Sequence, residues 1–229
     1  MDILSNLLIY GLPLLLAIPL HEAAHGYVAH YFGDDTAYRR GRVTMNPIKH
    51  IDPLGTVIFP GLLVITGAPF VFGWAKPVPV DFNGLRDPRW HSVWVAAAGP
   101  AMNVVLAFAS AVALRFAISA EPLMAGDTLP WWISMLQFSV LLNVMLAIFN
   151  MMPLLPLDGG RVLNGLLPRP LARQHAKTEP FGFPILIGVL ILLPMLADTL
   201  GWEFNLLSAL LLPPVMWLAD VILLLAGVS

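Results

Sequence analysis

Five stretches of this sequence are apolar over the length that crosses a bilayer. They run roughly over 3–32, 91–119, 131–152, 181–200 and 204–227. A hydrocarbon core of about 30 Å takes about 20 such residues as a helix. In lipid every backbone N–H and C=O must be met inside the protein, so only helices and closed barrels span. Runs this long select helices. The composition agrees, with 58% hydrophobic and 11% charged residues, where a soluble domain carries about 25% charged. The expected fold is an all-α polytopic membrane protein of about five transmembrane helices. It forms one membrane-embedded domain over 1–229. The opening "MDILSNLLIYGLPLLLAIPL" has no basic n-region and no small-residue cleavage site, so it is expected to be a retained first span.

A sixth apolar stretch, 54–74, carries Pro60, Gly61, Gly67 and Pro69 and many β-branched residues. These disfavour a helix and favour extended backbone. Charge decides how it runs. Of the twelve Lys and Arg, four lie in 33–53, three in 75–90 and four in 153–180; only Arg115 lies elsewhere. The loop at 120–130 holds Glu121 and Asp127 and no base. The positive-inside rule puts the three basic stretches in the cytoplasm. Both flanks of 54–74 then lie on one side. The expectation is a re-entrant hairpin or short β segment at about 54–80, with the N-terminus outside and the C-terminus inside. The net charge of −2 is small, which argues against a nucleic-acid partner. With no cysteine, thiolate ligands and cysteine nucleophiles are excluded.

Ionisable residues inside a span are costly and by default functional. The first span holds "HEAAH", His21, Glu22 and His25. At 100° per residue the two histidines lie about 40° apart on one helix face. That spacing lets two imidazoles hold one zinc, with Glu22 placed as general base toward a metal-bound water. His30 lies about 140° from His25 on the wheel and is left out. A zinc site needs a third protein ligand, and Asp158 and Asp220 are the candidates. Depth favours Asp158. Helix from Asn6 to His21 descends about 22 Å, and helix from Trp132 to Asn150 about 27 Å from the same side. Pro153 and Pro156 then stop the helix and hold Asp158 near the histidines.

These residues resemble the site-2 proteases, the intramembrane zinc metalloproteases. HEAAH pairs with "NMMPLLPLDGG", which holds Asn150, Pro153, Leu157, Asp158 and Gly159. Gly99, Pro100 and Asn103 of "GPAMN" form a third shared motif. The resemblance spans most of 10–165 and looks like the compact subgroup without a PDZ or CBS domain. It implies one zinc ion per chain on His21, His25 and Asp158, with Glu22 as catalytic base. It implies a substrate-positioning role for Asn150 and, less directly, Asn103. Helix capping and helix packing are their plainer readings. It also implies a transmembrane protein substrate, cut within or near the bilayer by water, and a place in a prokaryotic cell membrane with the active site toward the cytoplasm. An edge at 54–80 is expected to hold the unwound substrate by β-addition. The alternatives are another HExxH membrane peptidase and a non-catalytic metal-binding membrane protein or transporter. Glu22 argues against the last, since a carrier needs no base beside its ligand.

Overall fold

The computed structural model describes residues 3–59, 61, 62, 76–120, 130–201 and 206–228. Regular structure among these residues is helical throughout, with no strand. Among the described residues, four helices are long and apolar enough to cross a membrane: Leu4–Tyr31, Pro88–Ala120, Trp131–Asn150 and Ala209–Ala226. We label α1 (Leu4–Tyr31), α2 (Pro88–Ala120), α3 (Trp131–Asn150), α4 (Asp158–Leu166), α5 (Arg169–Ala176) and α6 (Leu206–Ala226).

The expected span at 181–200 is not one of those four. Its backbone runs through Glu179–Ile187, a π-helical turn at Gly188–Leu192, and Leu193–Thr199. Pro184 and Pro194 lie within this continuous helical run, and each removes a backbone donor. A second π-helical turn lies in α1, at Leu7–Gly11. It holds Ile9, the residue whose carbonyl the ring of Pro13 displaces.

Most of the expected re-entrant stretch, at 60 and 63–75, lies outside the described residues. Its first turn differs from the extended backbone that β-branched residues favour. Pro53–Ile58 is a π-helical turn. Asp52 Oδ1 accepts from Leu54 N at 3.0 Å and Gly55 N at 2.8 Å, while Thr56 Oγ1 accepts from Asp52 N at 2.9 Å. Pro53 sits at the first helical position, where its missing N–H costs nothing. This reciprocal cap outweighs the β propensity of Val57 and Ile58.

The core is built from small residues. Ala107 and Ala111 of α2 meet Val140 and Val144 of α3 and Val215, Ala219, Ile222 and Ala226 of α6. Lipid is as apolar as leucine, so helices associate there by close packing and interhelical hydrogen bonds. Ser110 of α2 and Ser139 of α3 supply one such bond at 2.8 Å. Near the far end of α2, Arg115 donates to Ala226 O of α6.

Candidate metal centre

The centre forms where α1 crosses α2. His21 and His25 sit one turn apart on α1 and are 7% and 9% exposed. The facing stripe of α2 is Val95, Gly99 and Asn103, spaced one turn each, and all three are buried. Gly99 lies against the rings. A β-carbon there would collide with Nε2 of both histidines, so glycine alone admits this approach.

The two flanking residues of the stripe set the tautomers. His25 Nδ1 donates to the Val95 carbonyl at 2.6 Å. His21 Nδ1 bonds Asn103 Oδ1 at 2.5 Å. The sense of that bond follows from a chain of amides. Ser139 O can only accept, so Asn143 turns Nδ2 toward it at 2.9 Å. Asn143 Oδ1 then accepts from Asn103 Nδ2 at 2.9 Å. Asn103 is left with Oδ1 toward His21, whose Nδ1 must carry the proton. Asn103 and Asn143 are 0% and 2% exposed. In its neutral form each imidazole therefore presents a bare Nε2 lone pair, and the two Nε2 atoms lie 3.1 Å apart.

Asp158 arrives from the other side. α3 ends at Asn150, and a turn with a cis Leu155–Pro156 peptide bond leads to Asp158, the first residue of α4. Gly159 and Gly160 let α4 start against the backbone of Met151–Leu155, where a β-carbon on either would strike main-chain atoms. Asp158 Oδ2 lies 3.1 Å from His21 Nε2 and 3.4 Å from His25 Nε2. Among the described residues these three side chains form the group able to hold a metal ion. The donor set fits zinc. Ligand bonds of about 2.0–2.1 Å in tetrahedral geometry put donor atoms about 3.3–3.4 Å apart, close to the separations seen. Each histidine also donates its other ring N–H to an oxygen, the arrangement that orients metal-bound imidazoles.

Glu22 follows the first histidine and is partly buried. Its Oε2 accepts from the backbone N–H of Val78 at 2.9 Å. Asn150 lies outside this network, with Nδ2 donating back to Leu146 O of its own helix at 3.0 Å. Asn103, for which the resemblance implies a substrate-positioning role and the plainer reading is helix packing, spends its side chain on His21, Asn143 and Ala17 O. His30 pairs with Asp35 at 2.9 Å and stacks on Tyr38. Asp220 is exposed on α6, outside the group. Asn143 and Val78 are absent from the sequence-derived set. Asn143 had a signal, a polar residue within an apolar span. Val78 acts through its main chain, which residue identity does not show.

Comparison with known proteins follows the same lines. A family model described as Peptidase family M50 matches residues 117–194. A Bacillus subtilis protein named "Putative zinc metalloprotease YwhC" is 38% identical over 212 residues, covering 87% of this chain and 91% of its own. Rip2 of Mycolicibacterium smegmatis, given the same description, is 30% identical over 184 residues, covering 77% of this chain and 64% of its own. Rip2 of Mycobacterium tuberculosis H37Rv is 29% identical over 215 residues, with 94% and 73% covered. No solved structure matches.

Proposed function

The chain belongs to peptidase family M50, and from that premise we propose that it is a zinc endopeptidase cutting transmembrane segments of other membrane proteins. The observation that carries this reading is the convergence of two Nε2 lone pairs and one carboxylate oxygen at ligand spacing. His21, His25 and Asp158 would hold the ion. When bound, zinc supplies a Lewis acid that acidifies a water and polarises the scissile carbonyl.

The protein's own groups do the rest. Glu22 removes the proton of the attacking water and returns it to the leaving amine. Its Oε2 is held by Val78 N–H, so Oε1 is the oxygen free for that transfer. The hydrogen bond also fixes the carboxylate in one rotamer beside the centre. Helical peptide bonds are shielded by their own hydrogen bonds, so the substrate unwinds before it is cut. The expected β-addition by 54–80 finds little support in 76–79. Lys76 N donates to His50 O and Val78 N to Glu22, while Pro77 and Pro79 have no N–H.

The test is Glu22→Gln, which keeps the size and one acceptor but cannot take a proton. Zinc content and yield should hold, and cleavage of a model transmembrane substrate should fall at least about 100-fold. Near-normal turnover would overturn the assignment of the base.

A further inference from the structure

Away from the metal centre, a cavity of about 350 Å³ opens between the start of α2, the end of α4 and α5. This volume lies within the range of small-molecule pockets, about 300–1,000 Å³. Its charge is one-sided. Arg89, Arg169 and Arg173 line it, and no Asp or Glu does. Arg89 is fixed in the wall, donating through Nε to Gly165 O at 3.0 Å and through Nη2 to Leu167 O at 2.9 Å. Arg169 and Arg173 stand one turn apart on α5, and among the described residues neither has a carboxylate within ion-pair distance. Like charges in that relation oppose the helix, so the fold gains nothing from the pair by itself. The lining thus offers guanidinium donors and no carboxylate to compete for them.

Its position says what surrounds it. The cavity lies at the first turns of a membrane-length helix. Trp90 and Trp94 of those turns are 50% and 62% exposed, and the Arg89 guanidinium lies over the Trp90 ring at 5.5 Å. Exposed tryptophans at a span's end mark the headgroup level of a bilayer. Guanidinium groups match phosphate oxygens in geometry and charge.

We propose that this cavity binds a phosphate ester, presented as the headgroup of an anionic glycerophospholipid. Phosphate oxygens meet Arg169, Arg173 and the free edge of Arg89. The site touches function through α4, which carries Asp158 at its first residue and Gly165 in the cavity wall. A bound headgroup would brace that helix.

The test uses full-length protein in nanodiscs of mixed phosphatidylglycerol and phosphatidylcholine, with retained lipid counted by native mass spectrometry. Wild-type protein should retain phosphatidylglycerol at least about tenfold over phosphatidylcholine, and Arg169→Gln/Arg173→Gln should remove most of that preference. Arg89 is left intact because it ties α2 to α4. Arg39→Gln/Arg40→Gln, with the same charge change elsewhere, should keep the preference. Equal loss in both double variants would mean a net-charge effect and overturn the site. Equal retention in wild type and Arg169→Gln/Arg173→Gln would do the same. A third arm adds inorganic phosphate or glycerol 3-phosphate at millimolar concentration. Displacement of the lipid by either would show a soluble phosphate ester as the ligand and overturn the lipid assignment.

Discussion

At the scale of residues, the candidate centre is held in place by groups outside the His21, His25 and Asp158 trio. Asn143 is two bonds from His21, yet it fixes which nitrogen of that ring is bare. In the correctly assembled fraction, Asn143→Leu should weaken zinc binding by about 10–100-fold, the range for outer partners of metal ligands. Competition with a fluorescent chelator reads this directly. Unchanged affinity would reduce the amide chain to helix packing. The third ligand is tested in the same way. Asp158→Ala should strip zinc from purified protein, whereas Asp220→Ala should retain it; an exchange of these behaviours would move the site. Much of this was legible before any coordinates, because HEAAH is a local pattern at helical spacing. Asp158 followed from depth along two helices. The partners Asn103–Asn143 and Val95–His25 join helices far apart in sequence, and no local periodicity encodes them.

At the scale of elements, the stretch 76–81 behaves as a strap. It is fastened at three points, Lys76 N to His50 O, Val78 N to Glu22 Oε2 and Asp81 N to Asp34 Oδ2. Val78 also packs beside Gly26, where a β-carbon would lie 2.9 Å from Val78 Cγ1. Val78→Pro deletes the donor to Glu22 and nothing from the metal ligands. Turnover should fall about tenfold or more with zinc affinity unchanged, while Val78→Ala, which keeps the N–H, should stay near wild type. Equal behaviour of the two variants would remove the hydrogen bond from the argument. Of the elements, four long helices were legible from hydropathy alone. The turn at Pro53–Ile58 was not, because its β-branched residues favour extended backbone whereas the Asp52–Thr56 cap decides its conformation.

At the scale of the whole molecule, the positive-inside rule predicts a sidedness from the basic residues. The arrangement proposed for the bilayer puts 33–53, 75–90 and 153–180 on the cytoplasmic side. The chain has no cysteine, so single-cysteine labelling is clean. Cysteines at Thr44, Asn83 and Thr178 should all react from the cytoplasmic face of sealed vesicles. Reaction of Thr44 and Asn83 from opposite faces would mean that the stretch between them crosses.

The amide chain from His21 through Asn103 and Asn143 to Ser139 has a consequence for how the helices find one another. It links α1, α2 and α3, and its donors all point one way. Inserted helices are free to spin about their own axes, and lipid gives no hydrophobic reason to prefer one facing over another. Turning any of the three by one residue, about 100°, strands at least one amide or imidazole. Each interhelical hydrogen bond of this kind is worth only about 0.6–2 kcal/mol in a membrane. Several that must form together or not at all discriminate far better than one. The same bonds that prepare His21 for a metal therefore work as a rotational key during assembly, and a misassembled bundle would lack its metal centre as well as its packing.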